Sequence, residues 1–190
     1  VAEYVADTHE NFLIDGLSRS TTYYVRVKPV CDDDKWSDAI NFTTSYFGGS
    51  GIETDPYIIA TTDDMDALAA SVNGGNDYEG VYFRQTDNLD YEGKTYTPVG
   101  TPTHPFRGIF DGRSYTISHV TLGNNNDNQG LFGYVENATL SYIRLANSQI
   151  SAKDCVGGIV GHGSGTIESC YVENDVVVLG HEDVGGIIGN

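Results

Sequence analysis

Two histidine–glutamate pairs, His9-Glu10 and His181-Glu182, are the first places to look for chemistry. A zinc hydrolase of the His-Glu-x-x-His type needs a second imidazole one helical turn on, with the glutamate as general base between them. Leu13 and Gly185 occupy those fifth positions, and both pairs sit in strand or turn patterns. Gly161-His162-Gly163-Ser164-Gly165 invites a phosphate-loop reading, but no helix follows it and no lysine completes it. Ser164 lacks the nucleophile elbow, since His162 stands where the first glycine would be. Cleavage of an acidic polysaccharide needs carboxylates on one face of neighbouring chain turns, with a basic residue for the sugar acid. The aligned outward positions read Ser118, Ser141, Glu168 and Thr121, Arg144, Tyr171, and Lys153 is the only lysine or arginine after Arg144. We therefore assign no catalytic residue, no cofactor and no metal ligand. A polysaccharide-processing enzyme is the second reading.

Binding is a better supported class. Tyr78, Tyr82, Tyr91 and Tyr96 cluster in the sequence and are candidates for stacking on a glycan, although alternating tyrosines also serve sheet packing. Asp32-Asp33-Asp34 and Asn124-Asn125-Asn126-Asp127-Asn128 carry the oxygens calcium prefers, without the spacing of a known cage. Asx-rich turns explain the same residues. His104, His119 and His162 read as surface residues. Cys31, Cys155 and Cys170 are too sparse for a disulfide scaffold; a Cys155–Cys170 bridge and two buried thiols both stay open.

The elements that would hold such groups follow from composition and period. Ten Lys+Arg against 27 Asp+Glu give a net charge of −17 over 190 residues, which excludes nucleic acid as the natural partner. A hydrophobic fraction of 39% suffices for a core, and no apolar run is long enough for a membrane helix. Twenty-three glycines and 13 tyrosines with only 5 prolines point to short strands and tight turns. The composition changes at the glycine-rich joint Gly48-Gly49-Ser50-Gly51, which predicts a first domain over 1–46, a linker over 47–54 and a second domain over 55–190. Apolar residues alternate in the first part: Phe12 and Ile14, then Tyr23, Val25 and Val27, then Ile40 and Phe42. In the second, Met65, Leu68, Ala69 and Val72 recur at helical spacing after Thr61 or Thr62 as N-cap and before Asn73-Gly74-Gly75 as stop. That spacing predicts one helix over about 63–72, covering the first turn of the second domain's remaining chain.

The rest of that domain is repetitive. Gly130-Leu131-Phe132-Gly133 recurs as Gly158-Ile159-Val160-Gly161 and as Gly186-Ile187-Ile188-Gly189, 28 residues apart each time. Thr139 to Leu145 matches Thr166 to Val172, and an earlier copy reads Thr116 to Leu122. This alignment puts Ile117, Leu140 and Ile167 in one column, Val120, Ile143 and Cys170 in a second, and Leu122, Leu145 and Val172 in a third. Short apolar strands with glycine corners at this period predict a right-handed parallel β-helix, one repeat per coil. The fold class is thus all-β: a partial sandwich, then a β-helix with one N-terminal capping helix.

Two resemblances sharpen these expectations. Leu17-x-x-x-Thr21-x-Tyr23, with Val25, Val27, Trp36-Ser37 and Phe42-Thr43-Thr44, resembles the second half of a fibronectin type III domain, which implies a Tyr23 hydroxyl bonded back to the preceding loop. The Gly-Leu-x-Gly units, Gly157-Gly158-Ile159-Val160-Gly161 and Phe110-Asp111-Gly112 with Thr116-Ile117-Ser118 resemble the GLUG repeat family over roughly Gly51 to Asn190. That family implies a bacterial extracellular surface protein, such as an adhesin or the stalk of an immunoglobulin-A-peptidase-like protein. The implied function is non-catalytic adhesion or display, with a host or neighbouring-cell glycan or an extracellular protein as partner. Since the half-domain opens inside its strand order and a new repeat opens at Val184, we also expect further strands before Val1 and further repeats or a cap after Asn190.

Overall fold

A computed structural model of the chain describes residues 17–27, 36–123 and 125–190. His9-Glu10, Phe12, Ile14, Cys31, Asp32-Asp33-Asp34 and Asn124 lie outside the described residues. The chain divides between Tyr46 and Phe47 into two units.

In the first unit, β1 (Thr22–Val25) pairs antiparallel with β2 (Ile40–Thr43), with Tyr23 opposite Phe42 and their rings 5.9 Å apart. The Ser18 amide donates to the Tyr23 hydroxyl at 2.8 Å, so the ring is tied back to the loop before its own strand.

The second unit begins at Phe47, eight residues ahead of the boundary expected from glycine content. Phe47 is buried, its ring packed 5.5 Å from Tyr57 and 5.4 Å from Phe83. The expected linker is therefore part of the packed unit, its Gly49 and Gly51 holding φ of +92° and +78° against the strand after them. From there the chain runs β3 (Tyr57–Ile59), α1 (Thr62–Asn73), β4 (Tyr82–Gln85), β5 (Leu89–Asp90), β6 (Ile109–Asp111), β7 (Thr116–Ser118) and β8 (Thr121–Gly123). It continues through β9 (Phe132–Ser141), β10 (Arg144–Ala146), β11 (Gln149–Ser151), β12 (Asp154–Gly157), β13 (Val160–Glu168), β14 (Tyr171–Val172), β15 (Val177–Leu179) and β16 (Glu182–Gly185).

Among the described residues these strands all pair in parallel, and partners are about one repeat apart. The orders β13-β9-β6-β4-β3, β14-β10-β7-β5, β15-β11-β8 and β12-β16 are four faces of a β-solenoid of about five turns. Inward side chains stack on their own kind. Phe83, Phe110, Leu140 and Ile167 form one column; Leu89, Ile117, Leu145 and Val172 a second; Leu122, Ile150 and Val178 a third.

The earliest copy expected from sequence, Thr116 to Leu122, takes a different register throughout, with Leu122 opposite Ile150 and not Leu145. Thr116-Ile117-Ser118 does not stack on Thr139-Leu140-Ser141; it pairs with Arg144-Leu145-Ala146 on the next face. The true partner of Thr139-Leu140-Ser141 in the earlier coil is Ile109-Phe110-Asp111. Val120 is buried but lies below Ser148, whose hydroxyl accepts its amide, and not below Ile143. The later alignment holds: Leu140 stacks with Ile167 and Leu145 with Val172.

Helix α1 covers the N-terminal end of this stack. It packs on β3, the edge strand of the five-stranded sheet, and Met65, Leu68, Ala69 and Val72 are all buried. Thr61 caps it: its hydroxyl accepts from the Asp64 amide, while the Asp64 carboxylate accepts the Ala60 and Thr61 amides. Asn73 fixes the other end, donating to the Pro98 carbonyl and accepting from the Gly100 amide. An amphipathic helix here buries the apolar edge that a bare first coil would offer to other chains.

Leu140 is fully buried in the middle of its column. Truncation to alanine removes its transfer energy and leaves a cavity between Phe110 and Ile167, which costs about 2–5 kcal/mol. Leu179→Ala, at a side chain 52% exposed, serves as the control and is expected to shift stability by less than about 1 kcal/mol. Denaturant unfolding of the two variants measures the difference.

Candidate functional site

The four tyrosines singled out from sequence do not form a surface. Tyr91 and Tyr96 are buried, edge to face with centroids 4.8 Å apart. Tyr91 donates to the Asp66 carboxylate at 2.9 Å, and Tyr96 to the Leu131 carbonyl at 2.8 Å. Burial pushes both phenols well above the ordinary tyrosine range, so they are neutral core groups. Tyr78 packs its ring edge on Phe83 at 5.0 Å and shares a 2.7 Å hydrogen bond with Ser71, anchoring α1. Tyr82, on β4, is half-buried. Tyr91 and Tyr96 are therefore withdrawn as glycan contacts, because a ring inside the core has no free face.

A different set of tyrosines is exposed. Tyr115, Tyr142 and Tyr171 are 38, 47 and 60% accessible. They lie in three consecutive coils at or just past the corner between the five-stranded and the four-stranded sheet, at different register positions: Tyr115 one residue before Thr116, Tyr142 two before Arg144, and Tyr171 on β14 level with Arg144. The turn at this corner needs left-handed residues: Arg113 and Ser114 in one coil, Tyr142 in the next and Ser169 in the last, with φ between 52° and 62°. Backbone hydrogen bonds run up the corner, from the Ser114 amide to the Tyr142 carbonyl (2.8 Å) and from the Tyr142 amide to the Glu168 carbonyl (3.1 Å). The left-handed turn aims Tyr142 outward while Ile143 beside it is buried. With coils ~4.8 Å apart, the three residues span ~10 Å along the axis.

Arginine lies beside these rings. Arg144 pairs outward with Glu173 at 2.6 Å, in register with Tyr171 and Thr116, and Arg113 is exposed at the same turn. On the opposite side of the five-stranded sheet, Arg107 clamps Asp77 (2.8 Å) and Glu136 (2.9 Å). Its guanidinium holds the Asp77 carboxyl below the usual carboxylate range.

The glycine cluster has a structural explanation. Gly163 and Gly165 lie in β13 with φ of +146° and +141°, at a bulge against β9. A Cβ at either would sit about 2 Å from a carbonyl oxygen of the coil beneath, Val135 or Ala138. The His162 ring lies over Tyr134 with centroids 4.9 Å apart. Cys155 and Cys170 are free thiols, both half-buried, and burial raises the thiol pKa of each. His104 is exposed, its amide held by Thr101.

No protein-family profile matches this chain, and no solved structure matches it. Two curated relatives do. Over 172 residues it is 28% identical to Halomucin of Haloquadratum walsbyi, covering 81% of this chain and 2% of that protein. Over 134 residues it is 28% identical to a Gly-rich membrane protein of Evansella cellulosilytica, covering 67% of this chain and 16% of the other. The chain thus spans a small fraction of each relative's length. No helix among the described residues is long and apolar enough to cross a membrane.

Proposed function

We propose that this chain is a non-catalytic module of an extracellular, surface-displayed protein, in which the solenoid presents a tyrosine corner to an uncharged glycan. The observation that carries the reading is the exposure of three tyrosines, Tyr115, Tyr142 and Tyr171, around one corner in three consecutive coils. Flat aromatic faces cover the apolar C–H faces of sugar rings, and neighbouring arginines supply hydrogen-bond donors to hydroxyls. A net charge of −17 repels anionic polymers, which selects neutral glycans over sugar acids. The two relatives are much longer proteins, and one is named for a membrane, which supports a display role. The parallel solenoid with its helix cap supports the likeness to GLUG repeats. The Tyr23–Ser18 hydrogen bond and the antiparallel β1–β2 pairing support reading the first unit as part of a fibronectin type III sandwich.

A panel of immobilised polysaccharides tests this reading. The chain is expected to be retained on at least one neutral glycan and not on uronate or sulfated polymers. Retention on anionic polymers alone, or on none, contradicts it.

A further inference from the structure

Two side-chain clusters outside the tyrosine corner share one construction. In the first, His119 Nδ1 lies 2.7 Å from Asp90 Oδ1, with Glu92 beside them. In the second, His181 Nδ1 lies 3.3 Å from Asp154 Oδ1 and 3.9 Å from Glu182 Oε1. Within each cluster the ligand-type atoms all lie within 4.8 Å of one another. Each joins two coils: His119 follows β7, which pairs with the β5 strand holding Asp90, and Glu182 opens β16, the partner of Asp154 on β12.

The orienting contacts are also the same. In each, the aspartate Oδ1 accepts the backbone amide of the glutamate in its own cluster, Glu92 at 3.0 Å and Glu182 at 3.2 Å. That bond fixes the carboxylate so that Oδ1 faces the imidazole. His119 is held in the left-handed region, φ +56°, which turns its ring back toward Asp90. Lys153 sits 3.0 Å from Asp154 Oδ2 and leaves Oδ1 to the imidazole. The sequence builds this arrangement in two ways, with Asp and Glu on one coil and His on the next, or Asp alone below His-Glu.

We propose that these are two zinc-class metal sites, each clipping one coil of the solenoid to the next through an imidazole nitrogen and two carboxylates. Imidazole with carboxylate selects zinc and its neighbours over calcium or magnesium, which take oxygen alone. Bonds near 2.1 Å to a tetrahedral ion set two ligands ~3.4 Å apart; in the second cluster His181 and Asp154 meet this at 3.3 Å, and the exposed Glu182 at 3.9 Å from the imidazole has only to swing inward. In the first, the 2.7 Å contact opens by about 0.7 Å when a metal ion takes the place of the hydrogen bond. Its side chains, 41 and 59% exposed, have room to do so. Water completes each shell. Because each ion bridges coils, its binding stabilises the folded solenoid.

Calorimetric titration of the full chain with Zn²⁺, and in parallel with Ca²⁺, tests the proposal. Two saturable zinc equivalents are expected, with zinc bound at least tenfold more tightly than calcium. At a hundredfold excess over Kd, the thermal midpoint is expected to rise by roughly 5 °C or more. His119→Asn, which tolerates the left-handed backbone, and His181→Gln should each remove one equivalent, and the double variant both. Far-UV circular dichroism of the metal-free variants, matching the parent, shows that the fold is kept. No saturable zinc binding overturns the proposal, as does zinc binding unchanged in the folded double variant, which would assign it to the acidic surface at large.

Discussion

Replacing Gly163 by valine is expected to cost roughly 3–5 kcal/mol, a large share of the ~5–15 kcal/mol that holds a domain of this size folded. Two effects combine. At φ +146° only glycine is at ease, and a Cβ would lie 2.0 Å from the Val135 carbonyl oxygen of the coil below. Neither can relax locally, because the offending atom belongs to the β9 backbone that pairs with β13. Gly123→Ala is the matched control: its Cβ meets nothing within 4 Å and its φ is ordinary. That variant is expected to be neutral within about 0.5 kcal/mol or slightly stabilising. Chemical denaturation of the two variants reads the difference; equal stabilities would mean the coils do not approach as described.

Salt is expected to have an effect nearly as large. Twenty-seven acidic against ten basic side chains make the compact state repel itself. Raising ionic strength from 0.15 to 1 M shortens the screening length from ~8 to ~3 Å. For −17 charges on a molecule of this size, that relief is on the order of 3 kcal/mol, or a thermal midpoint higher by about 5–10 °C. Thermal melts in NaCl across that range measure it. A flat midpoint would show that local ion pairs such as Arg107 with Asp77 and Glu136 already neutralise the relevant charge.

How far the sequence could be read depends on which physical signal each feature leaves. The solenoid and its cap were legible because inward positions must be apolar in every coil, and because the α1 stripe must be apolar on one face. The glycines were legible as corners and close approaches for the same geometric reason. Register was harder. Thr116-Ile117-Ser118 and Thr139-Leu140-Ser141 are alike because any inward strand residue flanked by hydroxyls suits any face. Only the 28-residue step from Ile117 to Leu145 separates the two assignments.

Side-chain direction was harder still. In sequence Tyr91 and Tyr96 fit both glycan stacking and packing; only Asp66 on α1 and the Leu131 carbonyl, which take their hydroxyls inside the core, decide for packing. Tyr142 becomes a surface residue through a left-handed turn, which a non-glycine residue does not announce. The histidine–carboxylate clusters join residues 27 to 29 positions apart, so they emerge only once the coil length is known. The same coil length brings Tyr115, Tyr142 and Tyr171 to one corner region, each offset by a residue or two from the strict register Thr116, Arg144, Tyr171, and it is the signal that could have found them.

The proposed binding face is the tyrosine corner. Its most direct test is affinity for the retained neutral glycan, measured by titration for the parent chain and for the Tyr142→Ala, Tyr171→Ala double variant. Both rings are exposed, so the thermal midpoint of the variant should stay within about 2 °C of the parent. The expected result is a loss of at least tenfold in affinity, with Tyr82→Ala leaving it unchanged. Equal affinity in the folded double variant would contradict the claim.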